Sequence, residues 1–172
     1  LQKCKELNMA SSIGISIYET EQIEKFINIG GLDVIQLPWS LINRKKSNID
    51  LINKLKDANI AVHIRSIFHQ GLLLSMPLKL PDNFIEYKKS YTDFCKIANS
   101  VEKRIALSIA SVLRDVPGAL IIGADNVDQL KIIIKANKMA YDLPNKYVKK
   151  SRKIWENMPD HIIDPRKWII NS

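Results

Sequence analysis

The chain has 172 residues, 46% of them hydrophobic, and 26 Lys and Arg against 18 Asp and Glu give it a formal charge of +8. That length supports one domain with a substantial core, and the composition argues against a disordered chain. Its longest apolar runs, Ile132 to Ile134 and the interrupted stretch from Ile105 to Leu113, are too short and mixed to span a bilayer, and no signal peptide is visible. Cys4 and Cys95 lie far apart without a metal or redox pattern, so they read as free thiols in a reducing compartment, with the cytoplasm as the expected location. The basic residues are spread over most segments, which describes a solvated basic surface; neither nucleic acid nor membrane is expected as a partner.

Leu1 to Asn8 already reads as helix and the first residue is not Met, so the sequence reads as beginning inside a larger protein. Ile13 to Ile17 is a short apolar strand, followed by a helical pattern of Ile23, Phe26 and Ile27 that stops at Gly30 and Gly31. Asp33 to Leu37 reads as a second, buried strand broken by Pro38. Ser47 and Asp50 then make a capping-box-like start to a helix carrying Leu51, Ile52 and Leu55, which Asn59 closes. A third strand, Ile60 to Ser66, leads into a long segment with Gly71, Pro77 and Pro81. Beyond it Phe84, Tyr87, Tyr91, Phe94 and Ala98 share one helical face, and the helical reading resumes from Ile105 to Leu113. After Pro117 and Gly118, Ala119 to Gly123 form a fourth apolar strand, and Asn126 caps a helix bearing Leu130, Ile133 and Ile134. The tail from Pro144 to Ser172 adds one helix and an irregular end, and no low-complexity linker divides the chain, so 1–172 reads as a single domain. Four strand-helix units of this kind predict a parallel sheet covered by helices, either an open doubly wound sheet or part of a (β/α)8 barrel.

Several signatures are absent. Gly30 and Gly31 end a helix instead of joining strand to helix, so they make no dinucleotide fingerprint, and there is no Walker-type lysine motif. His63, His69 and His161 form no helix-spaced pair of the kind zinc sites use, and Ser66 lacks a nucleophile-elbow glycine pattern. Polar residues at strand exits carry more information. Ser16 with Tyr18, Gln36 with Trp39, Arg65 with Ser66, and Gly123 with Ala124 and Asp125 are expected to converge on one rim, where ligands of parallel α/β proteins bind. Gln36 stands out because an amide at the end of a buried strand needs a partner. Arg65 suits a phosphate, an aromatic ring or a neighbouring carboxylate. The basic run Lys146, Lys149, Lys150, Arg152 and Lys153, with Tyr147 and Trp155 nearby, reads as the solvated face of the tail helix.

Four segments, Ile13-Gly14-Ile15-Ser16-Ile17-Tyr18, Asp33-Val34-Ile35-Gln36-Leu37-Pro38, Arg65-Ser66-Ile67-Phe68-His69-Gln70-Gly71-Leu72-Leu73 and Ile121-Ile122-Gly123-Ala124 through Gln129-Leu130, resemble in order and spacing the last four strand regions of aldo-keto reductases. The ending Asp164-Pro165-Arg166-Lys167-Trp168 looks like that family's tail. The resemblance implies the C-terminal half of a (β/α)8 barrel with a tail helix, from an oxidoreductase that reduces a small carbonyl substrate with NADP or NAD. By it, Ser16 and Gln36 hold the nicotinamide carboxamide, Arg65 falls where an aromatic residue usually lies under the ring, Ser66 begins the loop over the pyrophosphate, and Gly123 and Ala124 form the turn near the adenosine phosphate. Ile17 stands where an asparagine is common, Asp125 and Gln129 where basic residues often meet the 2′-phosphate, and Ile133 where an asparagine lies near adenine. Asp125 repels a phosphate, which favours NADH. The family's tyrosine, lysine, aspartate and histidine come from the first four strand units, so no catalytic residue is expected in this chain. A half barrel also leaves open strand edges and is expected to strip partners from inward apolar side chains at roughly 1.5 to 3 kcal/mol for each large residue, so the missing half, a second copy or another partner is expected to complete it.

Overall fold

Residues alternate sides along a strand, so a strand that buries alternate apolar side chains must present the residues between them to the opposite face. The computed structural model describes residues 1–44, 46–76, 80 and 82–168, with backbone alone at 46–48, 82 and 83. The order is α1 (Gln2–Glu6), β1 (Gly14–Ser16), α2 (Ile23–Ile29), β2 (Val34–Pro38), α3 (Lys46–Asp57), β3 (Ala61–Arg65), α4 (Lys88–Ile97), α5 (Val101–Leu113), β4 (Ala119–Leu120), α6 (Val127–Asp142), α7 (Asn145–Ile154) and α8 (Asp160–Ile163). Among the described residues there are also the 3₁₀ turns Thr20–Gln22, Leu72–Leu74, Asp82–Tyr87 and Pro165–Lys167. All strand pairs are parallel and the spatial order is β1-β2-β3-β4. A doubly wound sheet reverses its strand order at a switch point, whereas a barrel segment adds strands in sequence. The four units are therefore a segment of a (β/α)8-type barrel.

Ile35 and Leu37 of β2 and Val62 and Ile64 of β3 are buried on the helix side and share one core with α5, of which every residue from Arg104 to Val112 is buried. α5 packs along α6 and α7, and the core includes Trp155, which meets Tyr91 and Phe94 of α4 edge-on at 4.9 and 5.7 Å between ring centroids. On the other face the register sets Ser16 beside Gln36, Gln36 beside His63, and His63 beside Ala119, with Gly14, Val34 and Ala61 forming the adjacent row. This corrects the expectation that large apolar side chains line the open side. Apart from Val34 the rows are small or polar, so exposing them costs far less than uncovering a leucine row.

Two glycines permit close strand approach. A Cβ on Gly14 would lie 2.3 Å from the Val34 carbonyl oxygen, and one on Gly118 would lie 2.6 Å from that of Val62. Asp115, after α5, joins three segments: its carboxylate accepts from both Arg44 Nε and Nη2, from Arg152 Nη2 of α7 at 2.6 Å, and from the Trp39 indole at 3.4 Å. Arg152 therefore leaves the solvated face assigned to it and turns inward, donating also to the Ser111 hydroxyl at 3.1 Å.

Other boundaries shift for local reasons. Pro38 is the last residue of β2, paired with Arg65, and not a break before it. The fourth strand holds only Ala119 and Leu120, after which a single bond from Ile121 N–H to the Ile64 carbonyl continues the ladder. α5 starts earlier than expected because the Ser100 hydroxyl accepts from Lys103 N–H as its cap, while Asn126 caps α6 through Gln129 N–H as expected. α3 begins at Lys46, ahead of Ser47, whose capping role lies outside the described residues, as do Pro77 and Pro81. On α6, Leu130 and Ile134 are exposed, not core. The described residues of the tail form two helices and a 3₁₀ turn where one helix is expected. Gly14→Ala is expected to lower stability by about 1–3 kcal/mol, because its methyl meets backbone that cannot yield. A urea unfolding midpoint unchanged by the substitution would contradict the tight β1–β2 approach.

Candidate functional site

Every segment around the larger cleft follows the carboxyl end of a strand or belongs to the tail. The cleft, about 660 Å³, is bounded by residues 18–21 after β1, 38–40 and 43 after β2, Arg65, Ser66, His69 and Gln70 at β3, and Asp160 with 163–168 from the tail. A second cleft of about 550 Å³ lies against the turn after β4, between Ser66, Phe68, Gln70 and Leu74 on one side and Gly123, Asp125, Gln129, Ile132 and Ile133 on the other. Ser66 and Gln70 border both, so the two are compartments of one groove.

The loop between them is unusual. Ser66, His69 and Gln70 have positive φ of 58, 51 and 55°, and Gly71 follows at 80°. Non-glycine residues in this conformation carry a cost of roughly 1–2 kcal/mol each, and such strain concentrates at functional loops. His69 N–H bonding to the Ser66 carbonyl, and Leu73 N–H to that of Phe68, hold the tight shape.

Of the residues singled out in the sequence, Arg65 and Ser66 line the first compartment, and Ser66, Gly123 and Gln129 the second. Ser16 and Gln36 are register neighbours just behind the rim and line neither compartment, and Ala124 is exposed beside Gly123. Ser16 accepts a hydrogen bond from Arg65 Nε at 3.3 Å, and Arg65 also lies over the Tyr18 ring, 4.6 Å from its centroid. The Gln129 amide oxygen accepts from Asp125 N–H at 2.8 Å, which shapes the turn after β4. Among the described residues no group of three or more His, Cys, Asp or Glu could hold a metal ion, and no helix is long and apolar enough to cross a membrane.

The tail is the part of the site that sequence reasoning missed. The Arg166 guanidinium binds Asp164 at 2.7 Å and Glu19 at 3.0 Å, and stacks 4.7 Å from the Tyr18 centroid. These contacts hold the Asp164 carboxyl below its ordinary range. Trp168 packs edge-on against Phe84 at 4.8 Å and beside His69 at 5.5 Å. The Ile162 carbonyl accepts from both the Trp168 indole at 3.2 Å and His69 Nε2–H at 2.7 Å. His69 Nδ1 accepts from the Ser40 hydroxyl at 3.3 Å, and that oxygen itself accepts from the backbone N–H of Ile42 and Asn43. A buried, neutral imidazole thus ties the loops after β2 and β3 to the tail. The ending Asp164-Pro165-Arg166-Lys167-Trp168 resembles a family tail, but nothing in it assigns these residues to the site. Nothing local announces a bond between His69 and a carbonyl 93 residues away.

This fold is similar to a segment of the barrel of aldo-keto reductases of known structure. An aldo-keto reductase from Bacillus halodurans matches in its holo form with a TM-score of 0.64 at 17% identity, covering 95% of this chain and 57% of that one. Its apo form matches with a TM-score of 0.67 at 16% identity, covering 95% and 58%. The chain thus spans little more than half the length of that reductase. No family model and no curated protein matches the sequence.

Burial disfavours the charged imidazolium and draws His69 below its usual 6.5, against the opposing pull of the Ile162 hydrogen bond and the Asp164 charge. Folded His69 then binds fewer protons than unfolded His69, so its contribution is whole above about pH 6.5 and is lost as the pH falls below that. Urea unfolding near pH 7.5 and near pH 5.5 is expected to show a smaller loss of stability in His69→Gln than in the wild type. Equal losses would place the acid sensitivity elsewhere.

Proposed function

We propose that the chain is the cofactor-binding half of a nicotinamide-dependent carbonyl reductase of the aldo-keto reductase type, with the proton-donating residues supplied from outside this chain. The observation that carries the reading is the groove: two compartments, joined at Ser66 and Gln70 on the strained loop, lie at the carboxyl ends of four barrel strands. Ligand sites in barrel enzymes occupy that end. A dinucleotide has two ends, and the groove offers a compartment for each. One is rimmed by Arg65, Tyr18 and Ser66, the other by apolar Phe68, Leu74, Ile132 and Ile133 with Gln129.

The residues present fit such a cofactor in part. Ser16, Gln36, Arg65 and Ser66 are assigned to its nicotinamide and pyrophosphate side, and Gly123, Ala124 and Gln129 to its adenosine side. Nothing lies within 4 Å of a Cβ built on Gly123, so the turn there is open to a ligand. When bound, the cofactor supplies the hydride. The chain's own residues orient it and exclude water, and a carbonyl substrate is reduced only where a general acid completes the site, a contribution of roughly 10²- to 10⁴-fold. The isolated chain is therefore expected to bind without turning over. The carboxylate of Asp125 borders the adenosine compartment. Repulsion between two charges is about 1 kcal/mol at 4 Å even in bulk water, so NADH is expected to bind roughly fivefold or more tightly than NADPH. Fluorescence titration of both forms checks this, with Asp125→Asn expected to narrow the gap. An absence of binding to either form contradicts the reading.

A second reading, a non-catalytic half-barrel module that binds or self-assembles, draws on the exposed apolar stripe of α6. Val127, Leu130, Ile134 and Tyr141 are between 48% and 69% exposed, and β4 lies at the edge of the sheet. It requires a concentration-dependent increase in mass by sedimentation. A single monomeric species across the range contradicts self-assembly.

A further inference from the structure

Arg65 differs from the guanidinium groups around it. Arg44 and Arg152 share the Asp115 carboxylate, and Arg166 is bound by Asp164 and Glu19. Arg65 is held by neutral oxygens: Nε donates to the Ser16 hydroxyl and Nη1 to the Ser66 hydroxyl, each at 3.3 Å, and Nη2 donates to the Ile17 carbonyl at 3.2 Å. The Tyr18 ring fixes its plane. Half-buried in the cleft wall, the cation meets no carboxylate among the described residues. A guanidinium carries five N–H donors, so three bonds leave one donor on each terminal nitrogen. A planar, immobilised pair of this kind suits the paired oxygens of a carboxylate or phosphate, and such charge-assisted bonds are about twice as strong as neutral ones.

We propose that Arg65 is an oxyanion-recognition site, at which a small ligand places a carboxylate or phosphate on the two remaining terminal N–H groups, with Ser16, Ser66, the Ile17 carbonyl and Tyr18 holding the guanidinium in place. Where the anion is a cofactor phosphate this rests on the dinucleotide reading, which already assigns Arg65 to the cofactor, and where it is the carboxylate of an acidic carbonyl substrate it goes beyond that reading. The cleft as a whole is not cationic, because Arg65, Arg166 and Lys167 face Glu19, Glu21, Asp160 and Asp164. Recognition is therefore local to the fork, and its salt dependence is slight compared with that of a broad basic patch.

The test is calorimetric titration of the full chain with sodium pyruvate and, separately, inorganic phosphate, at constant ionic strength with chloride as the reference anion. Wild type is compared with Arg65→Leu and with Arg114→Leu, an exposed arginine that donates to the Leu143 carbonyl. Saturable binding of either probe to the wild type and to Arg114→Leu, weakened about tenfold or more in Arg65→Leu, supports the proposal, a tenfold change being about 1.4 kcal/mol. A response to pyruvate alone identifies a carboxylate ligand, and one to phosphate alone a phosphate group. No binding above chloride, or equal binding by Arg65→Leu, overturns it. If Arg65→Leu does not fold, Arg65→Lys decides: it keeps the charge without the fork, so reduced affinity supports the site and unchanged affinity overturns it. NADH binding by a chain indifferent to both anions removes this site and leaves the dinucleotide reading standing. Anion binding without NADH binding does the reverse.

Discussion

The two-sidedness of the parallel strands is the constraint on which the rest depends. Burying Ile35, Leu37, Val62 and Ile64 with α5 obliges Gln36, His63 and Arg65 to the other face, with Gln36 and His63 in register with Ser16 and Arg65 beside Pro38. The hydrophobic term that fixes the strands thus also fixes the row of polar groups, with no separate positioning energy. Arg65 is the last residue of β3 on that face, so its stem is set by the sheet and its head reaches the rim, where Tyr18 and two hydroxyls fix its orientation.

A rim built only from strand exits would be open on one side. The tail supplies that wall, and it does so mainly through polar bonds: His69 to the Ile162 carbonyl, Arg166 to Asp164 and Glu19, and the Trp168 indole to Ile162. Some of these groups are exposed and separately weak, while buried His69 is the bond that cannot be broken without leaving polar atoms unpaired. Nε2–H holds the tail while neutral Nδ1 accepts from Ser40, so the tie between the tail and the loop after β2, and with it the shape of the larger compartment, depends on the neutral state of one imidazole.

Much of the fold was legible because it is written in local periodicity. The apolar runs at Ile13, Asp33 and Ile60, the stops at Gly30 and Asn59, and the Asn126 cap each act within a few residues. β4 was overestimated because Ile121 and Ile122 are as apolar as strand residues, and what shortens the ladder is the neighbouring strand and not composition. Leu130 and Ile134 illustrate the same limit: spacing reveals that a helix has an apolar stripe, not what covers it. Of the site, the strand exits were readable by position alone, since Arg65 and Ser66 end a strand. The His69 bridge, the inward turn of Arg152 and the Arg166 stack join residues far apart in sequence, and no local pattern encodes them.

The open face, with Ser16, Gln36, His63 and Ala119 in a row, reconciles a barrel segment with a chain little more than half the length of the reductase it resembles. Its helix side holds a complete core, and its concave side exposes small and polar groups that water can solvate. We propose that the groove, from Tyr18 and Arg65 across the loop at 66–71 to the turn at 123–129, takes one extended dinucleotide. Hydrogen–deuterium exchange of the chain with and without saturating NADH tests it most directly. Slowed exchange in both segments together is the expected result, and unchanged exchange in both, from a chain that remains folded, would contradict it.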